Sequence, residues 1–349
     1  MNQEQKQTIT IIASYAPGVI LFKSVLIETL REKNYAVEVI LPINSDLKSL
    51  EAIKKLGATV TLIPMSPTGI NPFKDLQSFI ALYKHLKKTK PNHLLAYTIK
   101  PVIYGVLAAR LAGLKSRHAL MTGLGSMFLD SSLKGRLLLK LIKLQYRMAL
   151  KNAPSVMFQN PDDQALFLQN KLISQSQPRL VNGCGVDLKY YNCRPLPTGP
   201  LTFLMLSRLL KDKGLYEFAE AAKIIKNKYP SVTILLAGGL HPNPSAIQMS
   251  EVEQWLKEGR LTYLGNLSDV RPTIEESSVY VLPSYREGTP RSVLEAMSMG
   301  RPIITTDAPG CRETVIEGEN GFLVPVKSVE ALVQAMEKFI LNPALVKMM

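Results

Sequence analysis

Two glutamates in the segment 283–302, read as PSYREGTPRSVLEAMSMGRP, are the residues of this chain best placed for chemistry. Glu287 falls on a predicted loop and Glu295 on the helix that follows it. Residues 279–282 (VYVL), just before the loop, have the pattern of a buried strand. A strand, a loop and a helix in this order form a turn that accepts phosphate groups, and the carboxylates can bind hydroxyl groups. A nucleotide that carries a sugar would satisfy both features.

The predicted helix supports this interpretation more than the spacing of the glutamates does. Thr289 is a suitable N-cap, and Pro290 suits the first helical position, where its missing N–H costs nothing. Gly300 and Pro302 fit the end of the helix. The free N–H groups and the positive end of the helix dipole should therefore face the Glu287 loop.

A basic turn provides a second candidate site. The predicted strand 201–207 (LTFLMLS) is followed by Arg208 and Lys213, and a helix begins near Leu215. Two cations between the carboxyl end of a strand and a helix N-terminus can hold a diphosphate. The alternative is a solvated basic loop, and the sequence leaves both interpretations open.

Two glycine-containing turns in the first half have weaker signals. Gly18 follows the first predicted strand and is expected to open a helix, where its backbone could approach a phosphate. Thr122 and Gly123 follow the strand RHALMT in the segment TGLGS. For the Gly18 turn, a plain βα turn that binds nothing is the favoured interpretation, whereas for the TGLGS turn a ligand contact and a tight loop without a ligand are equally compatible with the sequence. Neither forms a GxGxxG motif, which argues against a nicotinamide or flavin cofactor.

Residues 133–151 predict a helix with a basic stripe beside an apolar stripe. The basic stripe contains Arg136, Lys140, Lys143, Arg147 and Lys151. The apolar stripe contains Leu137, Leu141, Leu144 and Met148. The helix could lie on a membrane surface, or it could bury its apolar face in a domain core and leave its cations in water.

The charge of the chain is concentrated in its first half. Residues 1–195 contain 26 Lys and Arg against 11 Asp and Glu, a net charge of +15, whereas residues 196–349 contain 16 against 17. This asymmetry indicates an anionic ligand or surface on the first-half side, and no nucleic-acid partner is predicted. At 349 residues, the chain is long enough for two domains, predicted as 1–190 and 191–349.

Other classes of site lack support in the sequence. No metal-binding spacing is found among the three cysteines, the four histidines and the carboxylates. The low cysteine content suits a reducing compartment. His118 starts a predicted strand, where a structural role is expected. The polar N-terminus MNQEQKQ does not resemble a signal peptide, and no apolar stretch is long enough to span a bilayer.

Both halves alternate short β-branched segments with amphipathic helices. The first half has strand patterns in TITIIASY, YAVEVILP, ATVTLIPM, HLLAYT and RHALMT, and the second in LTFLMLS, VTILLAGG, LTYLG, VYVLPS, PIITTD and GFLVPV. This alternation predicts an α/β fold of two doubly wound parallel-sheet domains. Ligands of such domains bind at the carboxyl ends of the strands, in a cleft if the domains face each other.

Taken together, these motifs resemble glycosyltransferase family 4, whose members have the GT-B fold of two Rossmann-like domains across a cleft. The resemblance covers essentially the whole chain and is strongest over residues 201–325. It is carried by SRLLKDKG (207–214), YLGNLSDV (263–270), the segment from Pro283 to Asp307, and GENGFLVP (318–325).

The resemblance implies a role for each matching residue. Glu287 would lie by the donor sugar, with the amides of Gly288 and Thr289 near the diphosphate and Pro290 beside them. Glu295 would bind the ribose. Arg208 and Lys213 would clamp the diphosphate, and Gly18 would approach it from the other domain. Gly265 and Asn266 would contact the base, which is expected to be uracil. Where many members have a catalytic histidine, this chain has Thr122 and Gly123, so none is assigned.

Within the family, the first half resembles bacterial enzymes that extend polyprenyl-diphosphate-linked sugars. The similarity lies in YTIKPVIYGVLAARLAG (97–113), which contains Lys100, and in TGLG (122–125). Lys100, Thr122, Gly123 and His118 are therefore acceptor or cleft candidates, and Arg136, Lys140, Lys143 and Arg147 are candidates for facing an anionic membrane. The implied enzyme is a retaining hexosyltransferase without metal or cofactor. It would use a UDP-sugar, on the cytoplasmic face of the cell membrane.

Two other function classes remain open from the sequence. A non-hydrolysing UDP-sugar epimerase shares the two facing domains, and a non-catalytic nucleotide-sugar or lipid-binding module would need the same binding residues. Family members also usually continue with a helix that crosses back to the first domain. We therefore expect that such a helix is missing after Met349.

Overall fold

The computed structural model describes residues 6–66, 71–124, 132–240 and 245–349. It divides into two compact units, Met1–Cys184 and Gly185–Met349. Each unit contains one parallel sheet with helices packed on it, so the predicted α/β fold with two doubly wound domains is confirmed. Gly125 and Ser126 of the predicted TGLGS turn lie outside the described residues.

Unit 1 contains a sheet in which all described strands run parallel, in the order β3-β2-β1-β4-β5-β6-β7. Its strands are β1 (Thr8–Ile12), β2 (Ala36–Pro42), β3 (Thr59–Ile63), β4 (His93–Tyr97), β5 (Ser116–Met121), β6 (Ser155–Phe158) and β7 (Pro178–Leu180). The sequence patterns located the first five. They missed β6 and β7, which are short and carry only weak alternation.

The helices of unit 1 cover both faces of its sheet. They are α1 (Ala16–Glu32), α2 (Leu47–Lys55), α3 (Pro72–Thr89), a π-helical turn (Pro101–Gly105), α4 (Val106–Leu111), α5 (Leu133–Leu150) and α6 (Pro161–Gln169). Apolar residues of α1 and α2 form one buried cluster with the sheet. Those of α3 to α6 form another on the opposite face. Because the order of the strands reverses between β1 and β4, the ligand position expected for this topology lies at their carboxyl ends.

A buried carboxylate in the middle of this sheet is fully satisfied by neighbours. Glu38 on β2 accepts hydrogen bonds from the hydroxyls of Thr10 at 2.8 Å and Thr61 at 2.7 Å, and its Oε1 lies 2.7 Å from the Nε2 of His85. A buried charge with such partners avoids most of the desolvation penalty of an unpaired one. We therefore assign His85 a structural role.

Unit 2 contains a second parallel sheet, in the order β10-β9-β8-β11-β12-β13 for the described strands. Its strands are β8 (Thr202–Leu206), β9 (Thr233–Ala237), β10 (Thr262–Tyr263), β11 (Val279–Leu282), β12 (Ile303–Thr306) and β13 (Gly321–Val324). All six were predicted. They are easy to recognise because a strand buried on both faces has an almost continuous apolar sequence.

The helices of unit 2 pack on this sheet around one buried apolar cluster. They are α7 (Leu215–Lys228), α8 (Met249–Lys257), α9 (Arg271–Glu275), α10 (Arg291–Ser298), α11 (Val329–Leu341) and α12 (Ala344–Met348). The predicted start of α10 was one residue too early. Pro290 has extended backbone (φ −72°, ψ 109°) and is the N-cap, a position that had been predicted for Thr289.

Arg301 joins several segments of unit 2 from a position that is only 2% exposed. Its guanidinium donates to main-chain carbonyls, including those of Ile274 at 3.0 Å, Arg194 at 2.7 Å and Pro195 at 2.9 Å. These bonds connect the segment that leads into β8 with the end of α9. The planar fork of arginine suits this task, because it offers five donors in fixed directions.

We predict that Arg301→Met lowers the free energy of unfolding of unit 2 by roughly 3–5 kcal/mol, since several buried carbonyls would lose their donor. Trp255 is the single tryptophan of the chain and lies in the core of this unit, so its fluorescence during urea unfolding measures the effect. Arg179→Met is the control, because Arg179 also donates to carbonyls but is exposed. Equal unfolding midpoints for the two variants would contradict the prediction.

Candidate functional site

The residues predicted to bind a nucleotide and a sugar in unit 2 lie at the carboxyl ends of its strands. Arg208 follows β8, the pair Gly265 and Asn266 follows β10, and the Glu287 loop follows β11. Strands β10, β9, β8 and β11 are consecutive in the sheet, so these loops share one edge. This edge is where ligands bind in parallel α/β sheets.

The central contact of this edge is an ion pair between Lys213 and Glu287. The Lys213 Nζ lies 2.5 Å from Glu287 Oε1, and the two side chains are 12% and 15% exposed. Lys213 ends a 3₁₀ turn, Lys211–Lys213, directly before α7. The sequence predicted both residues for the site, but not that they would contact each other.

Main-chain hydrogen bonds hold the loop that carries Glu287. The N–H of Tyr285 donates to the carbonyl of Asp212 at 2.9 Å, and the N–H of Glu287 donates to the carbonyl of Pro309 at 2.9 Å. The loop is therefore tied on one side to the Lys213 turn and on the other to the chain that follows β12. These bonds fix the position of the Glu287 backbone.

Two glycines that the sequence analysis did not single out press against this loop. Gly214 has φ +75°, and a Cβ there would lie 2.1 Å from the carbonyl oxygen of Pro283. Gly310 has φ +82°, and a Cβ there would lie 2.4 Å from the carbonyl oxygen of Glu287. Each position needs glycine for its left-handed backbone and for the missing side chain. The glycine after Lys213 and the Pro-Gly at 309–310 were the sequence signals for these contacts.

Cys311 lies beneath the same loop and is completely buried. Its Sγ is 3.9 Å from the carbonyl oxygen of Ser284. Burial raises the pKa of the Cys311 thiol to about 12, and the negative charge of Glu287 adds to the shift. The thiol therefore stays protonated and serves as a small apolar group.

Glu295 lies on α10 and is 6% exposed. Its Oε1 accepts from the Nε of Arg291 at 2.8 Å, an i,i+4 ion pair. Burial raises the pKa of Tyr191 to about 12, and the carboxylate of Glu295 adds to the shift, so Tyr191 remains a hydrogen-bond donor beside it. Arg291 and Tyr191 were not among the predicted site residues, although the i,i+4 spacing of Arg291 and Glu295 is visible in the sequence.

The β8 and β10 loops are brought together by the chain between them. Gly238 follows β9, and a Cβ added to it would lie only 1.6 Å from the carbonyl oxygen of Ser207. Ser207 directly precedes the exposed Arg208. The N–H of Gly238 donates to the carbonyl of Gly265 at 2.8 Å. The side-chain Oδ1 of Asn266 would be 3.2 Å from a Cβ on Gly239. The basic turn and the predicted base-binding residues are thus neighbours.

The predicted residues Gly288, Thr289 and Pro290 connect the Glu287 loop to α10. Gly288 and Pro290 are buried, and Thr289 is half-buried. The first turn of α10 follows directly, and the N–H of Val293 donates to the carbonyl of the N-cap Pro290 at 3.1 Å. The segment therefore directs the positive end of this helix to the edge that carries Glu287.

The N-terminal candidate Gly18 is placed differently from the prediction. Helix α1 begins at Ala16, so Gly18 lies inside its first turn and does not open it. The helix starts earlier because Pro17 fits its first turn. A Cβ on Gly18 would lie 3.2 Å from the ring of Tyr15, so glycine leaves room for this exposed aromatic side chain.

Strained backbone marks the carboxyl end of β4 in unit 1. Thr98 has φ +70°, which is rare for a β-branched residue, and its hydroxyl lies 2.8 Å from that of Ser14. Thr122 and Gly123 directly follow β5, and Gly123 has φ +102°. Two neighbouring strands, β4 and β5, are thus followed by residues with positive φ at the edge where a ligand is expected.

Lys100 follows Thr98 and forms an ion pair that the sequence did not predict. Its Nζ lies 2.6 Å from Oδ1 of Asp75 on α3, and the hydroxyl of Tyr104 donates to Oδ2 of Asp75 at 3.1 Å. His118, by contrast, sits between the hydroxyls of Ser116 and Ser155 at 2.9 Å and 2.7 Å. Burial lowers the pKa of His118, and its neighbours support a structural role.

Helix α5 presents its apolar stripe to solvent. The exposed residues are Leu133, Leu137, Leu141, Leu144 and Met148, which are between 49% and 79% exposed. The helix packs on its unit through a different face, which includes Ile142, Tyr146 and Leu150. Arg136, Lys140 and Arg147 are exposed, and Lys143 donates to Asn170 at 2.8 Å. The alternative in which this stripe fills a core is therefore wrong.

The fold and the site define the class of the protein. The family described as glycosyl transferases group 1 matches residues 200–342, and the family described as glycosyl transferase 4-like matches residues 13–160. The chain belongs to these glycosyltransferases and has the GT-B fold. Among the described residues, no cluster of His, Cys, Asp or Glu could hold a metal ion, and no helix could span a membrane.

Several characterised proteins are similar to this chain. It is 30% identical to the N,N'-diacetylbacillosaminyl-diphospho-undecaprenol alpha-1,3-N-acetylgalactosaminyltransferase of Campylobacter jejuni, over 89% of this chain and 83% of the relative. It is 28% identical to the UDP-Gal:alpha-D-GlcNAc-diphosphoundecaprenol alpha-1,3-galactosyltransferase of Escherichia coli, over 78% and 73%. Sucrose-phosphate synthase from Thermosynechococcus elongatus shares the fold, with a TM-score of 0.78, 20% identity and coverage of 98% and 92%.

We predict that Gly310→Ala abolishes most glycosyltransferase activity, because the new methyl group would push the Glu287 carbonyl away. Gly318→Ala is a matched control, since Gly318 has φ +81° and nothing within 4 Å of its Cβ position. Both variants should lose about 1 kcal/mol of stability from the left-handed backbone, but only Gly310→Ala should lose more. The unfolding temperature and the rate of sugar transfer would be measured for both variants. Equal values for Gly310→Ala and Gly318→Ala would refute the importance of the contact between Gly310 and the Glu287 carbonyl.

Proposed function

We propose that this protein is a retaining glycosyltransferase that uses a UDP-sugar as donor and a polyprenyl-diphosphate-linked saccharide as acceptor. The transferred sugar is an N-acetylhexosamine or a related hexose, and the product belongs to a bacterial surface or glycoprotein glycan. The observation that carries the proposal is the Lys213–Glu287 pair at the carboxyl edge of the unit 2 sheet. The names of the two bacterial relatives, both of which act on sugars linked to diphospho-undecaprenol, support the acceptor class.

The donor diphosphate is assigned to the cations and amides at this edge. Lys213 and Arg208 bind its oxygens, together with the amides of Gly288 and Thr289 in the segment just before α10. As the bond to the sugar breaks, negative charge grows on the departing diphosphate, and fixed positive groups lower the energy of that state. These groups supply the positive charge, so the proposed mechanism includes no metal ion or cofactor.

The two glutamates have separate tasks in this proposal. Glu287 orients the ammonium of Lys213 and uses its remaining oxygen for hydroxyl groups of the donor sugar. Glu295, oriented by Arg291, binds the ribose hydroxyls, and Gly265 and Asn266 contact the uracil. The donor is thereby fixed at its sugar, its ribose and its base.

Transfer proceeds with retention at the anomeric carbon. The bond between this carbon and the diphosphate oxygen breaks, and the acceptor hydroxyl forms the new bond on the same face. The proton of that hydroxyl passes to the departing phosphate oxygen, so the products are UDP and the extended glycan. No protein base is assigned, which agrees with the structural role of His118.

We further propose that unit 1 rests on the inner face of the cell membrane through α5. The support is the exposed apolar stripe beside exposed cations, on a helix whose sequence contains no Asp or Glu. An amphipathic helix of this kind lies in the interface with its apolar face in the lipid. Each basic side chain near an anionic surface contributes about 1 kcal/mol.

The donor site is tested with purified protein, a UDP-sugar panel and a polyprenyl-diphosphate glycan, in the presence of EDTA. Lys213→Gln and Glu287→Gln should each lower kcat about 100-fold or more, because a fixed charge at the reacting phosphate is lost or misplaced. Lys228→Gln is the control, since Lys228 also forms an ion pair, with Glu337 at 2.7 Å, but lies at the opposite end of α7 from Lys213. The control should retain full activity.

The same assay separates the competing functions. If the protein epimerised a UDP-sugar without any acceptor, the transferase proposal would fail and the epimerase would take its place. If donor and acceptor bound but no sugar moved, the protein would be a binding module. If Glu287→Gln kept full activity, the proposed role of the Lys213–Glu287 ion pair in sugar transfer would be wrong.

Membrane docking is tested by sedimentation with vesicles that contain anionic lipid. Replacing Leu137, Leu141, Arg136 and Lys140 with Gln should weaken binding at least tenfold, because both the apolar and the charged contacts are lost. The matched control replaces Ile43, Leu47, Lys54 and Lys55, on α2 or just before it, with Gln, since these two apolar and two basic residues are also exposed. Similar binding of both variants at low salt would exclude α5 as the docking helix.

A further inference from the structure

An apolar groove lies on the outer side of the helical layer formed by α3, α4 and α5 in unit 1. Its volume is about 250 Å³, and its walls include Leu76, Phe79, Leu107 and Gln145. The lower end of the size range of pockets that enclose a whole small molecule is about 300 Å³, so this groove suits a short segment of a longer ligand.

One end of the groove is polar. Asp75 and Tyr104 line it, and Asp75 is paired with Lys100, which follows the carboxyl end of β4. Burial and the charge of Asp75 raise the pKa of Tyr104 to about 12, so its hydroxyl remains a donor to the carboxylate. The Lys100 ammonium has three N–H donors, and its bond to Asp75 uses one of them.

The backbone on both sides of Lys100 is unusual. Thr98 is in the left-handed region, and a π-helical turn begins at Pro101. Such turns are rare and occur often at functional sites. This turn carries Tyr104, and Gly105 within it allows close packing, because a Cβ there would lie 2.7 Å from Ile12. The polar end of the groove therefore depends on two uncommon backbone conformations.

The outer rim of the groove is apolar on both flanking helices. On α3, Phe73, Leu76 and Ile80 are 85%, 56% and 41% exposed. On α5, Gln145 lies one turn after the exposed Leu141, at the margin of the stripe that we propose to contact lipid. The groove thus opens between two exposed apolar stripes, and Asp75 in its wall is paired with Lys100, three residues after the end of β4.

We propose that this groove holds the first isoprene units of the polyprenyl-diphosphate acceptor, with the diphosphate toward Lys100. This inference rests on the proposed function and extends it to the lipid part of the acceptor. A matching occupant is apolar along most of its length, carries an anionic group that extends past Asp75 to Lys100, and leaves the protein at the surface that we propose to contact lipid. A polyprenyl diphosphate has these properties, and it is the acceptor class already proposed.

The test compares two acceptors in detergent solution, where membrane docking does not limit the reaction. One is the undecaprenyl-diphosphate glycan, and the other is the same glycan diphosphate esterified with methyl. For Leu76→Gln we expect KM for the first acceptor to rise about fivefold, as the loss of one partly buried leucine contact predicts. KM for the methyl ester, KM for the UDP-sugar and kcat should stay within twofold of the unmodified protein.

Leu47→Gln is the matched control, because Leu47 is also an exposed leucine. It lies on α2, a helix that packs on the opposite face of the sheet from the groove. This variant should leave KM for both acceptors unchanged. Equal KM values of Leu76→Gln and Leu47→Gln for the undecaprenyl acceptor would overturn the groove. The same is true if Leu76→Gln raised KM for both acceptors alike.

Vesicle binding without acceptor separates the groove from the membrane contact. If Leu76→Gln weakened vesicle binding but left transfer in detergent unchanged, Leu76 would contact the bilayer and the groove assignment would be wrong. If the unmodified protein transferred sugar to neither acceptor, the proposed function itself would fail. Failure of the groove and failure of the function are therefore distinguishable.

Discussion

The contact of two left-handed glycines with the Glu287 loop is the constraint on which the candidate site of unit 2 depends. Gly214, at the start of α7, lies against the carbonyl of Pro283, and Gly310, after β12, lies against the carbonyl of Glu287. Neither place has room for a side chain. Close main-chain packing therefore helps to hold the loop that carries Glu287 and its ion pair with Lys213. Lys213 precedes one of these glycines directly, so the same packing that fixes the loop also delivers the cation.

The sequence predicted the fold well because both sheets are parallel and buried. Strands such as β8 and β11 are apolar throughout, and strong helix-start and helix-end residues separate them from their neighbours. Strands β6 and β7 escaped detection because they are short, and β7 is largely exposed. The start of α10 was displaced by one residue, since a proline can serve as the N-cap or as the first helical residue.

The sequence predicted Glu287, Lys213 and Arg208 as site residues because residue type and position after a strand are local information. The structure places all three at the carboxyl edge of the unit 2 sheet. The sequence did not identify the partners Asp75 of Lys100 or Tyr191 of Glu295, which are distant in sequence and adjacent only in the folded unit. It also could not decide which stripe of α5 faces the core, because leucines on two sides of a helix give the same pattern whichever side is buried.

The three cysteines have different environments, and this has a practical consequence. Cys193 is exposed, Cys184 is half-buried, and Cys311 is buried with its pKa raised to about 12. A thiol reagent reacts with the thiolate and needs access to it, so Cys311 can be modified only when the chain around the Glu287 loop opens. Cys311 is therefore a built-in probe of local opening. The rate at which a thiol reagent labels it reports how often the structure around the Glu287 loop opens.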